Sequence, residues 1–264
     1  MKLENKAIIV TGSCTGIGRA IALKCVEEGA KVVIHGLEAD LAEETVNEIG
    51  PDRAVSLVKD LTEEGCATEL VELAKRSFGR LDGVVNNAAW VAWSNVRDTD
   101  LPFFRKVLEI NTLAPYALIR AALPELSKAK GSVVNIGSIN AYCGETTLMA
   151  YSVSKGALMT LTRNLGDALM QEHGIRVNQI NPGWVLTENE AKRKKEHGLK
   201  EDWYADLPKV FAPAGRIIWP KEIATMALHW LSDESGPVSG QVFDLEQYPM
   251  IGRNPPKDSN TLPE

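Results

Sequence analysis

The chain lacks what a membrane protein, a metalloprotein or a nucleic-acid binder would need. No apolar run approaches the ~18 residues that cross a bilayer. The opening MKLENKAIIVTG has neither the long apolar core nor the small-residue cleavage site of an export signal, so a cytoplasmic location is expected. Basic charge is in deficit: 29 Lys and Arg stand against 35 Asp and Glu, a net charge of −6, which argues against a nucleic-acid or anionic-membrane partner. Cysteine is scarce. The four present, Cys14, Cys25, Cys66 and Cys143, form no CxxC or CxxH pair, so they read as free thiols rather than a disulfide framework or a zinc site. The four histidines are equally scattered, and no metal site is expected.

What the chain does have is alternation. Its 264 residues suit one large α/β domain spanning 1–264. Apolar runs at Lys6–Thr11, Lys31–His35, Ala54–Lys59, Leu81–Asn86, Gly131–Ile136, Ile175–Ile180 and Gln241–Leu245 read as strands. Helical patterns lie between them: Ile17 to about Gly29, Glu38–Ile49, Thr62–Phe78, about Asp100 to Lys128, Met149–Glu172 and Lys221–Leu231. Right-handed crossovers would wind these into one doubly wound, Rossmann-type, seven-stranded parallel sheet covered on both faces. The alternation breaks only at Thr187–Lys209, where EAKRKKEHGLKED follows a strand end. That break suggests a lid at about 187–215, with a C-terminal tail at about 246–264.

Two local patterns carry chemistry. Gly12, Ser13, Cys14, Thr15, Gly16, Ile17 and Gly18 form a glycine-rich turn between the first strand and the first helix. Such a turn lets the backbone approach a pyrophosphate, which then sits at the helix N-terminus where free N–H groups and the dipole favour negative charge. Tyr151 and Lys155, four apart, share one helix face. A phenol with a reference pKa of about 10 is a poor acid–base group at neutral pH, and a neighbouring cation lowers that barrier. Ser138, after the fifth strand, can hydrogen-bond the same substrate oxygen.

These motifs, with Asp60 after the third strand, Asn86-Asn87-Ala88 after the fourth, Asn111 in the long helix and Asn181-Pro182-Gly183 with Thr187, resemble the classical short-chain dehydrogenase/reductase family from about Lys6 to Leu245. The resemblance implies reversible hydride transfer between NAD or NADP and a secondary alcohol or its ketone. It casts Ser138, Tyr151 and Lys155 as catalytic, and Asn111 as the residue that kinks its helix and holds a water behind the lysine. Lys155 would also bond the nicotinamide ribose. Asp60, beside Leu61, would cap the adenine, and Asn87 and Ala88 would line the ribose. Pro182, Gly183, Val185 and Thr187 would hold the carboxamide. A homo-oligomer, a tetramer by family likeness, would pair the outer faces of the long helices through residues such as Ala114, Ala117, Ala121, Leu158 and Leu161.

The chain departs from the family pattern at three places. Ala89 replaces a glycine, and strand seven runs Asp244-Leu245-Glu246-Gln247-Tyr248 in place of a glycine pair. The second strand ends His35-Gly36-Leu37, with neither the acid expected for an NAD ribose nor the arginine expected for an NADP phosphate. Comparable use of both dinucleotides is therefore expected, with protonated His35 as a potential phosphate contact. For substrate, Trp93, Trp184, Trp203 and Tyr204 fall on loops at the active edge, where indoles can cover a sugar ring. Asn140, Glu145 and Asn189 are suited to reading hydroxyls, and Lys192, Arg193 and Lys194 to attracting a carboxylate. A sugar, polyol or sugar acid is the leading reading. A small hydrophobic ketone or 3-oxoacyl substrate, and a non-catalytic dinucleotide sensor or scaffold, stay open.

Overall fold

Seven strands lie parallel in the order β3-β2-β1-β4-β5-β6-β7. They are β1 (Ala7–Val10), β2 (Lys31–Gly36), β3 (Ala54–Val58), β4 (Gly83–Asn86), β5 (Ser132–Ile136), β6 (Arg176–Pro182) and β7 (Val242–Leu245). The computed structural model describes residues 1–142, 144–196, 198–205, 207–209 and 212–248, so Cys143 and the tail from 249 to 264 lie outside the described residues. The chain order reverses between β1 and β4, and the carboxyl ends of those strands, with β5 and β6, form the edge on which a doubly wound sheet carries its ligand.

The sheet is buried on both faces because its strands alternate between two apolar layers. Ile8, Val10, Val32, Ile34, Val85, Val134 and Ile180 point to one side, against Ile21 and Cys25 of α1 (Gly16–Glu27), Ala42 and Ile49 of α2 (Ala39–Ile49) and Ile223 and Leu231 near the C-terminus. Ile9, Val33, Val84, Val133 and Val177 point to the other, against Leu70 and Ala74 of α3 (Cys66–Phe78) and two further helices. No helix among the described residues is long and apolar enough to cross a membrane.

Where elements differ from the sequence pattern, a side chain accounts for it. Helix α3 begins at Cys66 rather than Thr62, because Asp60 Oδ1 takes the Thr62 N–H at 2.9 Å and its hydroxyl at 2.8 Å, holding a turn open past the strand end. The expected long helix from Asp100 is three pieces: α4 (Leu101–Leu108), a π-helical turn at Glu109–Leu113 and α5 (Ala114–Ala129). After β5 come α6 (Met149–His173), α7 (Glu188–Glu196) and α8 (Pro220–Leu231). Helix α7 was not legible from apolar periodicity, since its sequence ENEAKRKKE offers almost none.

The outer faces also differ from expectation. Ala114 and Leu158 are buried inside the chain. The exposed large apolar residues on these helices include Leu101, Leu113, Tyr116 and Val153. Leu113 and Tyr116 lie three apart, on one face with Ala117.

Helix α6 crosses the sheet at a point that only glycine permits. A β-carbon on Gly166 would lie 2.4 Å from both N and Cα of Gly240, ahead of β7. Gly166→Ala is expected to force the helix outward at a cost of about 1–3 kcal/mol. A thermal melt would read that as a drop of roughly 3–10 °C, and an unchanged melting temperature would show that the crossing has slack.

Candidate active site

The glycine turn is held from below. Ser13 Oγ donates to the Val10 carbonyl at 2.7 Å and accepts the His35 N–H at 3.0 Å, binding β1 to β2 beneath the loop. Asn87 donates its side-chain amide to the carbonyls of Thr11 and Gly12, each at 2.9 Å, and its own N–H to the Thr11 hydroxyl at 3.0 Å; Ala88 N–H reaches that hydroxyl at 3.1 Å. Both Asn87 amide donors are thus spent on the loop. Gly12 and Gly16 have φ of +60° and +56°. A β-carbon on Gly18 would sit 2.2 Å from the Gly12 carbonyl oxygen, so no larger residue fits there. This cradle fits a dinucleotide pyrophosphate, and an anion already lies at it: Glu188, the first residue of α7, accepts the Gly16 N–H at 3.1 Å. Thr15 precedes α1 in extended conformation and makes no side-chain cap, while Ile17 packs against the core.

His35 does not face the cofactor edge. Its ring is 2% exposed and lies under the loop, with Nδ1 accepting the Gly12 N–H at 3.3 Å and Nε2 2.9 Å from the Lys59 carbonyl. Burial holds its pKa below the ordinary value, so the ring stays neutral and cannot provide the expected phosphate contact. An exposed acid does lie beside the strand end: Glu38, whose Oε2 would be 3.8 Å from a β-carbon on Gly36. Burial, then Glu38, pushes the Cys14 thiol up to about 11, leaving it an inert packing group. Asp60, expected at the adenine, has its pKa lowered by its Thr62 hydrogen bonds, and Leu61 packs beside it on the core.

On the other side of the switch point, Asn111 explains the π-helical turn. Its Oδ1 accepts the Trp90 N–H at 2.8 Å, and its Nδ2 donates to the Trp90 carbonyl at 3.1 Å and to Ser154 Oγ at 3.0 Å. An extra residue in the turn opens the helical ladder where this fully buried amide reaches α6. Ser154 Oγ in turn donates to the Tyr151 carbonyl at 2.6 Å. One turn along, Lys155 is 2% exposed and donates Nζ to the Ile136 carbonyl at 2.7 Å, while standing 5.7 Å from the centre of the Tyr151 ring.

Burial governs both titratable groups. It brings the Lys155 amine down to about 7. It also raises the Tyr151 phenol above its usual value, against which Ser138, by hydrogen bonding, and Arg193, by charge, pull it down and Glu145 pushes it further up. Sequence alone suggested that Lys155 would lower the phenol. In the structure that amine is engaged with a carbonyl and loses its own charge easily. At neutral pH the phenol therefore keeps its proton.

Pro182 ends β6, Gly183 N–H bonds the Leu245 carbonyl at 3.0 Å, and Val185 bridges to Ile218. Thr187 Oγ1 accepts the Glu190 N–H at 3.1 Å, starting α7, and its methyl would be 3.3 Å from a β-carbon on Gly16. The segment beginning at Thr187 and the glycine turn are therefore in contact. The Trp184 indole donates to Glu190 Oε1 at 2.8 Å and stacks on Trp203 with ring centres 5.1 Å apart; Lys194 Nζ lies 5.1 Å from the Trp184 ring. Arg193 and Lys194, expected to attract a carboxylate, pair with the buried Glu190. Asn140 gives its N–H to Ser138 Oγ at 3.1 Å and its side-chain amide to Glu145 at 3.3 Å, and it lines a groove of about 770 Å³ with Tyr142 and Met149. Trp93, 61% exposed, lines with Phe103 an adjoining cavity of about 300 Å³ that shares Asn95 and Asp98 with that groove. Ser138 and Asn140 are thus joined, whereas Trp184 belongs to another cluster and Trp93 to the adjoining cavity. Glu38 and Glu188 are the residues that sequence reading missed. Glu38 could have been found by its spacing, about 20 residues past the glycine turn.

The family model described as enoyl-(acyl carrier protein) reductase matches residues 12–246. The chain belongs to the short-chain dehydrogenase/reductase family. An NADP-dependent (R)-specific alcohol dehydrogenase of Lentilactobacillus kefiri is 34% identical over 93% of this chain and 96% of its own. A bovine L-fucose dehydrogenase is 36% identical over 88% and 85%. A solved short-chain dehydrogenase/reductase of unknown function from Caenorhabditis elegans, crystallised with cofactor, superposes with a TM-score of 0.83 at 29% identity, covering 92% of this chain and 95% of that one. As a member of this family, the chain is an NAD(P)-dependent oxidoreductase acting on CH–OH groups.

Two outcomes are expected of this short-chain dehydrogenase/reductase site. Glu188→Ala removes the carboxylate that competes for the Gly16 N–H, and should tighten dinucleotide binding by about two- to fivefold in a fluorescence titration; weaker binding would mean that Glu188 assists the cofactor instead. Lys155 has a folded pKa of about 7 against an unfolded value of about 10.4. Between these limits the unfolded chain binds the extra proton, so this group makes stability rise with pH across that window and disfavours folding most below pH 7. The melting temperature of Lys155→Met relative to wild type should therefore be higher at pH 6 than at pH 9, and a difference constant with pH would place Lys155 in a wetter setting.

Proposed function

We propose that this chain interconverts a secondary alcohol and its ketone on a sugar, polyol or sugar acid, with Tyr151 moving the substrate proton. The observation that carries the proton role is the convergence of three side chains: Ser138 at the end of β5, and Tyr151 with Lys155 one turn apart on α6. A bound nicotinamide dinucleotide, NAD or NADP, would supply the hydride acceptor or donor. Ser138 would hold the substrate oxygen. Tyr151, protonated at neutral pH, would give its proton to that oxygen during reduction and recover it during oxidation. Lys155 would orient the cofactor ribose and add positive charge while protonated, and Asn111 would fix the Tyr151 helix through Ser154.

The substrate class rests on the lid. Arg193 Nε and Trp203 Nε1 are buried without an acceptor, beside the stacked Trp184. Unsatisfied buried donors next to flat indoles suit a hydroxyl-rich ring better than an apolar chain. Relatives named for an (R)-specific alcohol dehydrogenase and for L-fucose are compatible with this class. The segment around 187–215 would close over the substrate as a lid. The exposed stripe at Leu113, Tyr116 and Val153 would pair copies of a cytoplasmic homotetramer.

Tyr151→Phe should lower kcat by 100-fold or more and leave dinucleotide affinity within about threefold; retention of more than a few per cent of kcat in a directly measured chemical step would remove Tyr151 from the proton transfer. Oxidation should accelerate as pH rises through the Tyr151 pKa and reduction should slow, since one needs phenolate and the other phenol. kcat/KM for aldoses, polyols and sugar acids against apolar secondary alcohols and 3-oxoacyl thioesters, with Trp184→Ala beside wild type, decides the substrate. Activity confined to the apolar or acyl set would replace the carbohydrate reading.

A further inference from the structure

A chain of polar side chains, buried from Asn86 through Asn181 and reaching the surface at Asp244, links β4, β5, α6, β6 and β7 beside Ser138. Asn86 Nδ2 donates to Asn135 Oδ1, and Asn135 Nδ2 to Thr162 Oγ1, both at 2.8 Å. The Thr162 hydroxyl is 2.8 Å from Gln179 Oε1, and Gln179 Nε2 donates to Asn181 Oδ1 at 2.7 Å. The same Asn181 oxygen accepts the Ser138 N–H at 3.1 Å. At the far end, Asp244 Oδ1 accepts from Asn181 Nδ2 at 3.0 Å and from the Tyr142 hydroxyl at 3.1 Å. Gly137 is required by this arrangement, since a β-carbon there would lie 2.1 Å from Asn181 Oδ1 and 2.3 Å from Gln179 Nε2.

We propose that Asp244 is a positioning residue for Ser138, acting through the orientation of the Asn181 amide; the inference rests on the role given to Ser138 above. An amide has one accepting and one donating end. Asn181 meets two donors on one side, the Ser138 N–H and Gln179 Nε2. Turned over, its own NH2 would face both of them, leaving buried donors unpaired. Asp244 is an acceptor-only carboxylate at the opposite end, and it holds the amide the right way round. Without it the Asn181 amide keeps only the two donors on its other side, turns more readily, and the turn that presents the Ser138 hydroxyl to substrate loosens.

The proposal separates the acceptor from the charge. Asn at 244 can present an oxygen to both Asn181 and Tyr142, whereas Ala cannot. Asp244→Ala is expected to lower kcat by about tenfold or more, with substrate KM and dinucleotide Kd within about threefold, while Asp244→Asn keeps at least a third of wild-type kcat. Ser138 is also one of the groups that pull the Tyr151 phenol down, so the alkaline rise of the oxidation rate should move to higher pH in Asp244→Ala and stay in place in Asp244→Asn. The other charges acting on or packed against that phenol, Lys155 on α6, Arg193 on α7 and Glu145 before α6, are unchanged in both variants. Hydrogen–deuterium exchange over residues 132–142 supplies a readout independent of turnover: exchange should quicken in Asp244→Ala alone. Equal effects of the two substitutions would show that Asp244 acts by charge, and wild-type exchange with wild-type kcat in Asp244→Ala would overturn the proposal. If wild type turns over none of the alcohols, the functional reading fails, and the exchange experiment still decides whether Asp244 holds the Ser138 turn.

Discussion

The hydroxyl of Thr11 is the joint on which the active edge depends. It donates to the Val85 carbonyl at 3.3 Å and accepts the N–H groups of Asn87 and Ala88, so the ends of β1 and β4 are closed together at the place where the sheet's winding reverses. A doubly wound sheet must open a crevice there, because the helices on either side leave in opposite directions. Left to themselves the two loops would splay, exposing backbone groups that neither could satisfy. The Asn87 amide completes the joint by taking the Thr11 and Gly12 carbonyls. The glycine turn thereby keeps a fixed shape. The adjoining segment, through Trp90, receives Asn111, and the same constraint passes through Ser154 to Tyr151.

Tyr151 and Lys155 sit where burial disfavours charge on each of them. A buried ammonium and a buried phenolate are both costly alone, and their mutual attraction compensates only when both form together. Lys155, with its amine near 7, and Tyr151, with its phenol pushed up, are consequently both held toward their uncharged forms. Added positive charge in the site shifts Tyr151 down, and the Ser138 hydroxyl works in the same direction. Small changes in how Ser138 is held therefore have a chemical consequence out of proportion to their structural size, which is why a side chain as distant as Asp244 has leverage.

The parts of this architecture legible in the sequence are those written as periodicity or fixed spacing. Alternating apolar runs located all seven strands, and the glycine spacing and the Tyr151–Lys155 interval located the two halves of the site. Boundaries failed where one polar side chain overrode a pattern: Asp60 delaying α3, or Asn111 inserting a π-helical turn into what reads as one helix. Orientation was not legible. His35 stands at the strand end where a ribose contact is sought, yet strand alternation turns its ring under the loop, and only the Gly12 and Lys59 contacts reveal this. Glu188 and Asp244 escaped because their partners are 172 and 63 residues away, and no local pattern encodes such distances.

Those distant contacts share one logic. At the carboxyl edge of the sheet, N–H groups at Gly16 and Ser138 meet acceptors delivered from later in the chain. Glu188 brings a carboxylate to α1 from the start of α7, Glu190 takes the Trp184 indole and the Arg193 guanidinium, and Asp244 closes the Asn181 end. A helix N-terminus prefers an anion, and α7 supplies one. Because a pyrophosphate would make the same kind of bond to the same turn, the two compete for one position, and release of Glu188 frees the first residue of α7. The start of α7 is in this way tied to the glycine turn by a hydrogen bond, beside the Trp184–Trp203 stack and the Glu190 ion pairs that hold the rest of the segment.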